Sequence, residues 1–280
     1  MSIQSPDLGR GQQAGASALD HLVINVLKDM DAAEAAFAAL GFTLTPRGHH
    51  SLGSINHLMV SRDSYLELVG VPETGLQRQE VLDSPLGISG LVFASDTAED
   101  TFARLSGAGL PALEPLAFSR PLVVDGVERD VAFRTVRMAP GFLPAGRTYF
   151  CQHMTPDLVW RPEWLVHANG YCGIGRVIIE SPDADRMAER YAAVAGSQVV
   201  PGAAGWRVPL PNADLVVRKG EKARFVTAEL IFAALDEIER RAQGLPAAVW
   251  HRHGPDVATL ALPAFHLEFL CIANSARSPS

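Results

Sequence analysis

The sequence predicts an α+β fold of four βαβββ modules, paired into two domains with curved sheets. Three observations point there. A short apolar strand, an amphipathic helical run and a glycine-ended turn recur four times, starting near residues 19, 88, 173 and 224. At each recurrence the apolar pattern changes from strand-like to helical spacing, and such repeats are to be sought first. A single βαβββ unit cannot bury both faces of its sheet, so units must pair.

Residues 1–17, rich in Gln, Gly, Ser and Ala, are expected to be a disordered tail. They lack the apolar segment of a signal peptide or anchor. The first domain is expected over residues 18–154. Its opening strand, Leu19-Asp20-His21-Leu22-Val23-Ile24-Asn25-Val26, carries one imidazole near its start. A helix over residues 29–40 follows, with Ala33, Ala36, Phe37 and Leu40 on one face. A polar loop with His49 and His50 leads to strands at 55–60 and 65–71, joined by the turn-type run Ser61-Arg62-Asp63-Ser64. After a proline-bounded connection the second module repeats the order: strand 88–94, helix 97–106, then strands 113–118, 129–138 and 147–153.

Residues 155–170, with Trp160, Trp164 and His167 among prolines, form a linker or a loop folded over one half. The second domain is expected over 171–273, with helices at 183–194 and 236–243 and closing strands near 213–218 and 266–272. Residues 274–280 form a tail.

Composition excludes several function classes. A net charge of −7 without a basic stripe argues against a nucleic-acid binder. No apolar run approaches a membrane span. Three scattered cysteines, Cys151, Cys172 and Cys271, fit a reducing cytoplasm without a disulfide framework. There is no Gly-x-Ser-x-Gly elbow and no Cys-x-x-Cys pair. The glycines around Gly173 precede a strand rather than a helix, which fails the context for phosphate binding.

The chemistry centres on three side chains. His21 lies in the first strand. Glu67 lies in the last strand of the first module, between Leu66 and Leu68, where an acid is costly to bury unless paired or coordinated. His153 ends the last strand of the second module, on the same face as Tyr149 and Cys151. Each residue alone is more often structural. Together, related by a pseudo-two-fold axis, two imidazoles and a carboxylate would form a facial metal triad with open positions. His49, His57 and Asn56 are the candidates for general base, outer donor or substrate-orienting group, with His50 beside them. Arg134 and Arg137 could clamp a carboxylate or form a solvated face. His266 and Glu268 echo the first closing strand but look like a decayed or structural copy.

These stretches resemble the paired modules of the vicinal oxygen chelate superfamily, and most closely its glyoxalase-like domain proteins. The resemblance is carried by Leu19-Asp20-His21-Leu22-Val23, Gly53-Ser54-Ile55-Asn56, Tyr65-Leu66-Glu67-Leu68-Val69 and the run from Tyr149 to Pro162. It covers about residues 18–170 well, and the remainder in repeat architecture only. It implies the glyoxalase/dihydroxybiphenyl dioxygenase-like fold and a divalent metal, with His21, Glu67 and His153 carrying over as ligands. The opening strand of the second module departs from the pattern: Gly90 stands where many members place a ligand.

The resulting expectation is a cytoplasmic, metal-dependent enzyme holding Fe, Mn, Zn, Ni or Co. It would act on a small molecule with vicinal oxygens through metal-stabilised enolate or oxyanion chemistry, as an isomerase, lyase or extradiol-type dioxygenase. The alternative is a non-catalytic protein of the same fold that binds and sequesters a small molecule. The expected partner is that small molecule and, as an option, a second copy of the chain; nucleic acid and membrane are not expected.

Overall fold

The computed structural model describes residues 15–276. Most of the expected N-terminal tail (1–14) and the end of the C-terminal one (277–280) lie outside the described residues. Gly15 to Ala18 run against the second half, where Ser17 N–H donates to Ala195 O at 2.8 Å.

The first half holds β1 (Leu19–Leu27), α1 (Met30–Ala39), β2 (Gly48–His49), β3 (Ile55–Val60), β4 (Tyr65–Gly70), a short α2 (Gln79–Leu82), β5 (Gly87–Ala94), α3 (Ala98–Gly107), β6 (Leu116–Val124), β7 (Val127–Arg137) and β8 (Arg147–His153). Its eight strands form one sheet in the order β2-β3-β4-β1-β5-β8-β7-β6. The central pair, β1 and β5, is antiparallel, while β4 and β8 flank it in parallel. The two modules are thereby related by an approximate two-fold axis. The outermost strands meet: β2 contacts β6, and Ser51 N–H donates to Ser119 O at 3.0 Å. The sheet curls into a nearly closed cup.

The second half repeats the plan with β9 (Tyr171–Ser181), α4 (Ala184–Ala195), β10 (Val200–Gly202), β11 (Gly205–Pro209), β12 (Asp214–Lys219), β13 (Arg224–Phe232), α5 (Asp236–Gln243), β14 (Val249–Arg252), β15 (Val257–Leu262) and β16 (Leu267–Ala273). The order β10-β11-β12-β9-β13-β16-β15-β14 matches the first sheet position by position.

One strand differs from the sequence reading. The run expected at 113–118 extends as β6 to Val124 and turns back into β7 through Asp125-Gly126, with φ of 53° and 75°. An Asp-Gly pair with both φ positive makes the two-residue hairpin turn that matches strand twist. Pro121 interrupts the apolar pattern, and β6 tolerates it because it is the sheet edge.

Two apolar clusters hold the chain. The outer faces of both sheets and their helices share one, which includes Phe37 of α1, Phe93 and Phe150 of the first sheet, and Tyr191 and Phe269 of the second half. The inside of the first cup is lined by the other, including Val23, Leu58, Tyr65, Val92 and Phe133. The 155–170 segment folds over the cup: Leu158, Val159 and Trp164 join the inner cluster, and His167 Nε2–H donates to Val60 O at 2.9 Å. Asn25, inside β1, donates to Val81 O and Ser84 O, both at 2.9 Å, and so ties the 72–86 connection to the cup.

Phe37 is fully buried and reaches Phe42 (ring centroids 5.6 Å apart) and Phe269 of the second half (6.5 Å). Phe37→Ala is expected to cost about 3–5 kcal/mol, read by denaturant unfolding of the whole chain. A change within ~0.5 kcal/mol, the range of surface substitutions, would contradict a core shared by the two halves.

Candidate functional site

The site is built on an irregularity at the start of β1. Leu19 pairs with Phe93 and His21 with Val92, so Asp20 is an extra residue in the ladder. Such a bulge re-aims side chains. Here it sets the Asp20 carboxylate beside the His21 ring, in a strand whose alternation would otherwise send the two to opposite faces.

Asp20 is buried, and its Oδ1 accepts from His21 Nδ1–H at 2.6 Å and from His153 Nε2–H at 3.0 Å. Burial pushes its pKa up, but the two imidazoles outweigh that and hold the carboxyl well below the usual range. With Nδ1 engaged, His21 presents Nε2 on its other side. That atom lies 3.4 Å from Glu67 Oε2 and 3.4 Å from the Tyr149 hydroxyl. The ring stacks on Tyr65, with centroids 4.4 Å apart. Burial opposes a charge on His21, yet the carboxylates of Asp20 and Glu67 prevail and push its pKa up to about 9. Glu67 accepts from Asn56 Nδ2–H at 2.7 Å. Burial would raise its pKa, but His21, His50 and Asn56 bring it down to about 2.

His21, Asn56, Tyr65, Glu67, Tyr149, His50 and Cys151 border a small inner chamber of about 30 Å³. Arg78, Phe118, Arg147 and Tyr149 also border a larger outer chamber of about 510 Å³, walled by Met138, Pro140, Leu143 and other apolar groups. The two chambers meet at that shared wall.

Not every expected residue arrives at this place. His21, Glu67 and Asn56 do. His153 does not border the chamber. The ladder shows why: His21 pairs with Val92, and Val92 with Tyr149, so Tyr149 is level with His21 and His153 lies four residues further along β8. There it supports Asp20 from behind. Among the described residues, Asp20, Cys151 and His153 bring donor atoms within 4.8 Å of one another, and the expected trio His21, Glu67 and His153 is not drawn together this closely. His49 is exposed. His57 is buried but faces away from Asn56, as neighbours on a strand must. It donates through Nδ1 to Thr45 O at 2.8 Å and accepts at Nε2 from Arg47 Nε–H at 3.1 Å. Arg134 pairs with Glu99, whereas Arg137 does reach the outer chamber. His266 and Glu268 are exposed.

His50, one of the three histidines read from the sequence as a possible general base or outer donor, borders the chamber, and Asp20 and Tyr149, which sequence pattern did not assign, complete the site. His50 sits in an irregular loop where no periodicity applies. Its Nδ1 is 2.8 Å from Ser54 Oγ, which leaves Nε2 free to act on what the chamber holds. Burial, aided by Arg120, Arg78 and His21 and opposed by Glu67, pushes its pKa down to about 4. His50 is therefore a neutral imidazole near pH 7.

A family profile described as a glyoxalase-like domain matches residues 19–195. The chain belongs to the glyoxalase-like domain family. No curated protein matches it. Among solved structures, a hypothetical protein from Staphylococcus aureus is similar at 12% identity, covering 91% of this chain and 98% of that one, with a TM-score of 0.67. A Mn(II)-bound glyoxalase from Novosphingobium aromaticivorans is similar at 12% identity, covering 94% and 86%, with a TM-score of 0.54. A mutant of 4-hydroxymandelate synthase from Streptomyces coelicolor is similar at 16% identity, covering 95% of each chain, with a TM-score of 0.53. These likenesses establish the fold shared with vicinal oxygen chelate proteins. No helix among the described residues of this glyoxalase-like protein is long and apolar enough to cross a membrane.

The half-buried, neutral His50 makes stability depend on pH with a definite sign. Its folded pKa, about 4, lies below its ordinary 6.5. Between those values the unfolded chain binds the extra proton, so stability falls as pH is lowered through that window. His50→Gln is expected to flatten this part of the stability curve. Nuclear magnetic resonance titration of the ring checks the cause directly; a midpoint near 6.5 would refute it.

Proposed function

We propose that this chain is a metal-dependent enzyme of the vicinal oxygen chelate type, acting on a small molecule with two adjacent oxygens as an isomerase, lyase or extradiol-type dioxygenase. The observation that carries this reading is the His21–Glu67 pair. The 3.4 Å between Nε2 and Oε2 is the spacing of two ligands on one ion at bonds of ~2.1 Å. The carboxylate on His21 Nδ1 is the usual outer partner of a metal-bound imidazole, fixing its tautomer and orientation. A divalent cation of Fe, Mn, Zn, Ni or Co held there would supply Lewis-acid polarisation of the substrate's oxygens.

The chain's own residues supply the rest. Asn56 holds the Glu67 carboxylate in place. His50 is neutral and borders the chamber, so it can take a proton from the substrate. Tyr149 offers a hydroxyl within 3.4 Å of His21. Phe118 and Phe133 line the wall and exclude water. His153 acts as a positioning residue through Asp20 rather than as a ligand.

A second reading is favoured by the same pair. His21 and Glu67 neutralise each other without an ion, which suits a protein that sequesters its ligand unchanged.

Metal analysis separates the two. After loading with each of the five metals and desalting, wild type should retain about one ion of at least one of them per chain. His21→Ala and Glu67→Ala should lose it. Asp20→Asn should weaken metal affinity about 10–100-fold, the usual effect of removing an outer partner. His153→Ala should leave both ligands in place and retain the ion. Wild type that binds none of the five sinks the enzyme reading and leaves the sequestering one.

A further inference from the structure

The inside of the cup carries a cation that the metal-centre reading does not use. Arg120, on β6, is fully buried. None of its three guanidinium nitrogens has a hydrogen-bond partner among the described residues. On its strand it alternates with Phe118, which borders both chambers, and Leu122, which belongs to the cup's inner cluster, so it faces inward. The field of Glu67 reaches it, and its own field reaches His50. Its neighbour in space is Gly48: a Cβ there would fall 2.5 Å from Arg120 Cδ and 2.3 Å from Asn56 Oδ1. That oxygen is itself buried without a partner. An unpaired buried charge costs several kcal/mol of folding stability, and native interiors rarely leave such groups unsatisfied.

A second, half-buried guanidinium stands where the chambers meet. Arg147 has Nε and Nη2 buried without partners. The outer chamber's carboxylates are already engaged. Glu80 takes Arg78 at 2.5 Å and Arg137 at 3.2 Å, and Asp83 takes Gln79 Nε2–H at 2.8 Å. Arg147 is left facing the opening between a small polar chamber and a large, mostly apolar one.

We propose that the site takes an organic anion: a molecule with an apolar body for the outer chamber and a carboxylate held by Arg147, in a cavity whose inner wall Arg120 makes electropositive. This rests on taking the first-half cavity as the functional site. It narrows the substrate class from any molecule with adjacent oxygens to acids, because a neutral ligand would leave the buried Nε and Nη2 of Arg147 unpaired and the charge of Arg120 uncompensated. A carboxylate offers an arginine two parallel charge-assisted hydrogen bonds.

The probes are dihydrocaffeate, which carries adjacent ring oxygens, an apolar ring and a carboxylate on a short arm, and its neutral methyl ester. Calorimetry on the metal-loaded wild type should show the acid binding at least ~10-fold tighter than the ester, a difference of about 1.4 kcal/mol. In Arg147→Met and in Arg120→Met that preference should shrink to within about 2-fold, with metal content unchanged. Arg120→Met should also raise the melting temperature of the ligand-free protein, since it removes a buried unpaired charge. Equal binding of acid and ester with metal retained overturns the anion assignment and leaves the metal centre standing. Arg120→Met that melts lower and keeps the full preference shows a structural arginine, and overturns its part. Binding of neither probe overturns the proposal, while metal content reports separately on the metal-centre reading.

Discussion

One buried carboxylate organises the first cup. Asp20 Oδ1 accepts hydrogen bonds from two imidazoles that come from opposite modules, His21 on β1 and His153 on β8. A lone carboxylate at this depth would be expelled or neutralised. Two donors make it tolerable, and in return it decides which way His21 faces. Were His21 Nδ1 free, the ring could turn and Nε2 would no longer be committed to Glu67. The bulge at Asp20 is therefore more than a local defect: it lets consecutive residues act on the same side of the sheet.

How much of this could be read in the sequence follows from the range of each interaction. The module repeat and the helix faces are periodic, so they showed in the chain itself. His21 and Glu67 were legible because each stands alone among apolar residues of a strand, and β1 pairs directly with β4. His153 was placed at the centre because it ends a matching strand, but register across two ladders brings Tyr149 level with His21 instead. Register is a product of strand pairing and is not written in any one strand. His50 lies in a loop without a period, and which of His49, His50 and His57 borders the chamber depends on closure of β2 onto β6 and on strand alternation. Asp125-Gly126 was a hairpin signal in plain sight, masked by Pro121 in the strand before it.

The two halves show what the architecture leaves free. Both sheets have the same strand order, so the plan does not dictate chemistry. In the second half the central antiparallel pair β9 and β13 sets Arg176 opposite Glu229, and their charged ends lie 3.3 Å apart. Arg176 is half exposed, so that pair is solvated and weak. In the first half the 155–170 segment covers the cup and joins its inner cluster, and the same kind of acid then meets a buried imidazole. Covering the cup is what turns an ion pair into a site, because interactions strengthen as water is removed.

The distribution of unsatisfied polar atoms makes the same point from another direction. Single uncharged atoms of Tyr171, Tyr191 and Trp250 lie buried without a partner in the second half, but the ionic groups in that state among the described residues, Asp20 Oδ2, His153 Nδ1 and nitrogens of Arg120, Arg137 and Arg147, all belong to the first half. A fold that leaves charged donors and acceptors of both signs unpartnered in one half has given up stability there. Such concentrated cost is characteristic of a place shaped for a ligand rather than for the chain. The signs are divided in space: carboxylates and imidazoles gather at the inner chamber, and Arg147 stands where it meets the outer one. The inner end is already balanced by its own pairs, His21 with Asp20 and Glu67 and His153 with Asp20, so the uncompensated charge lies with the arginines.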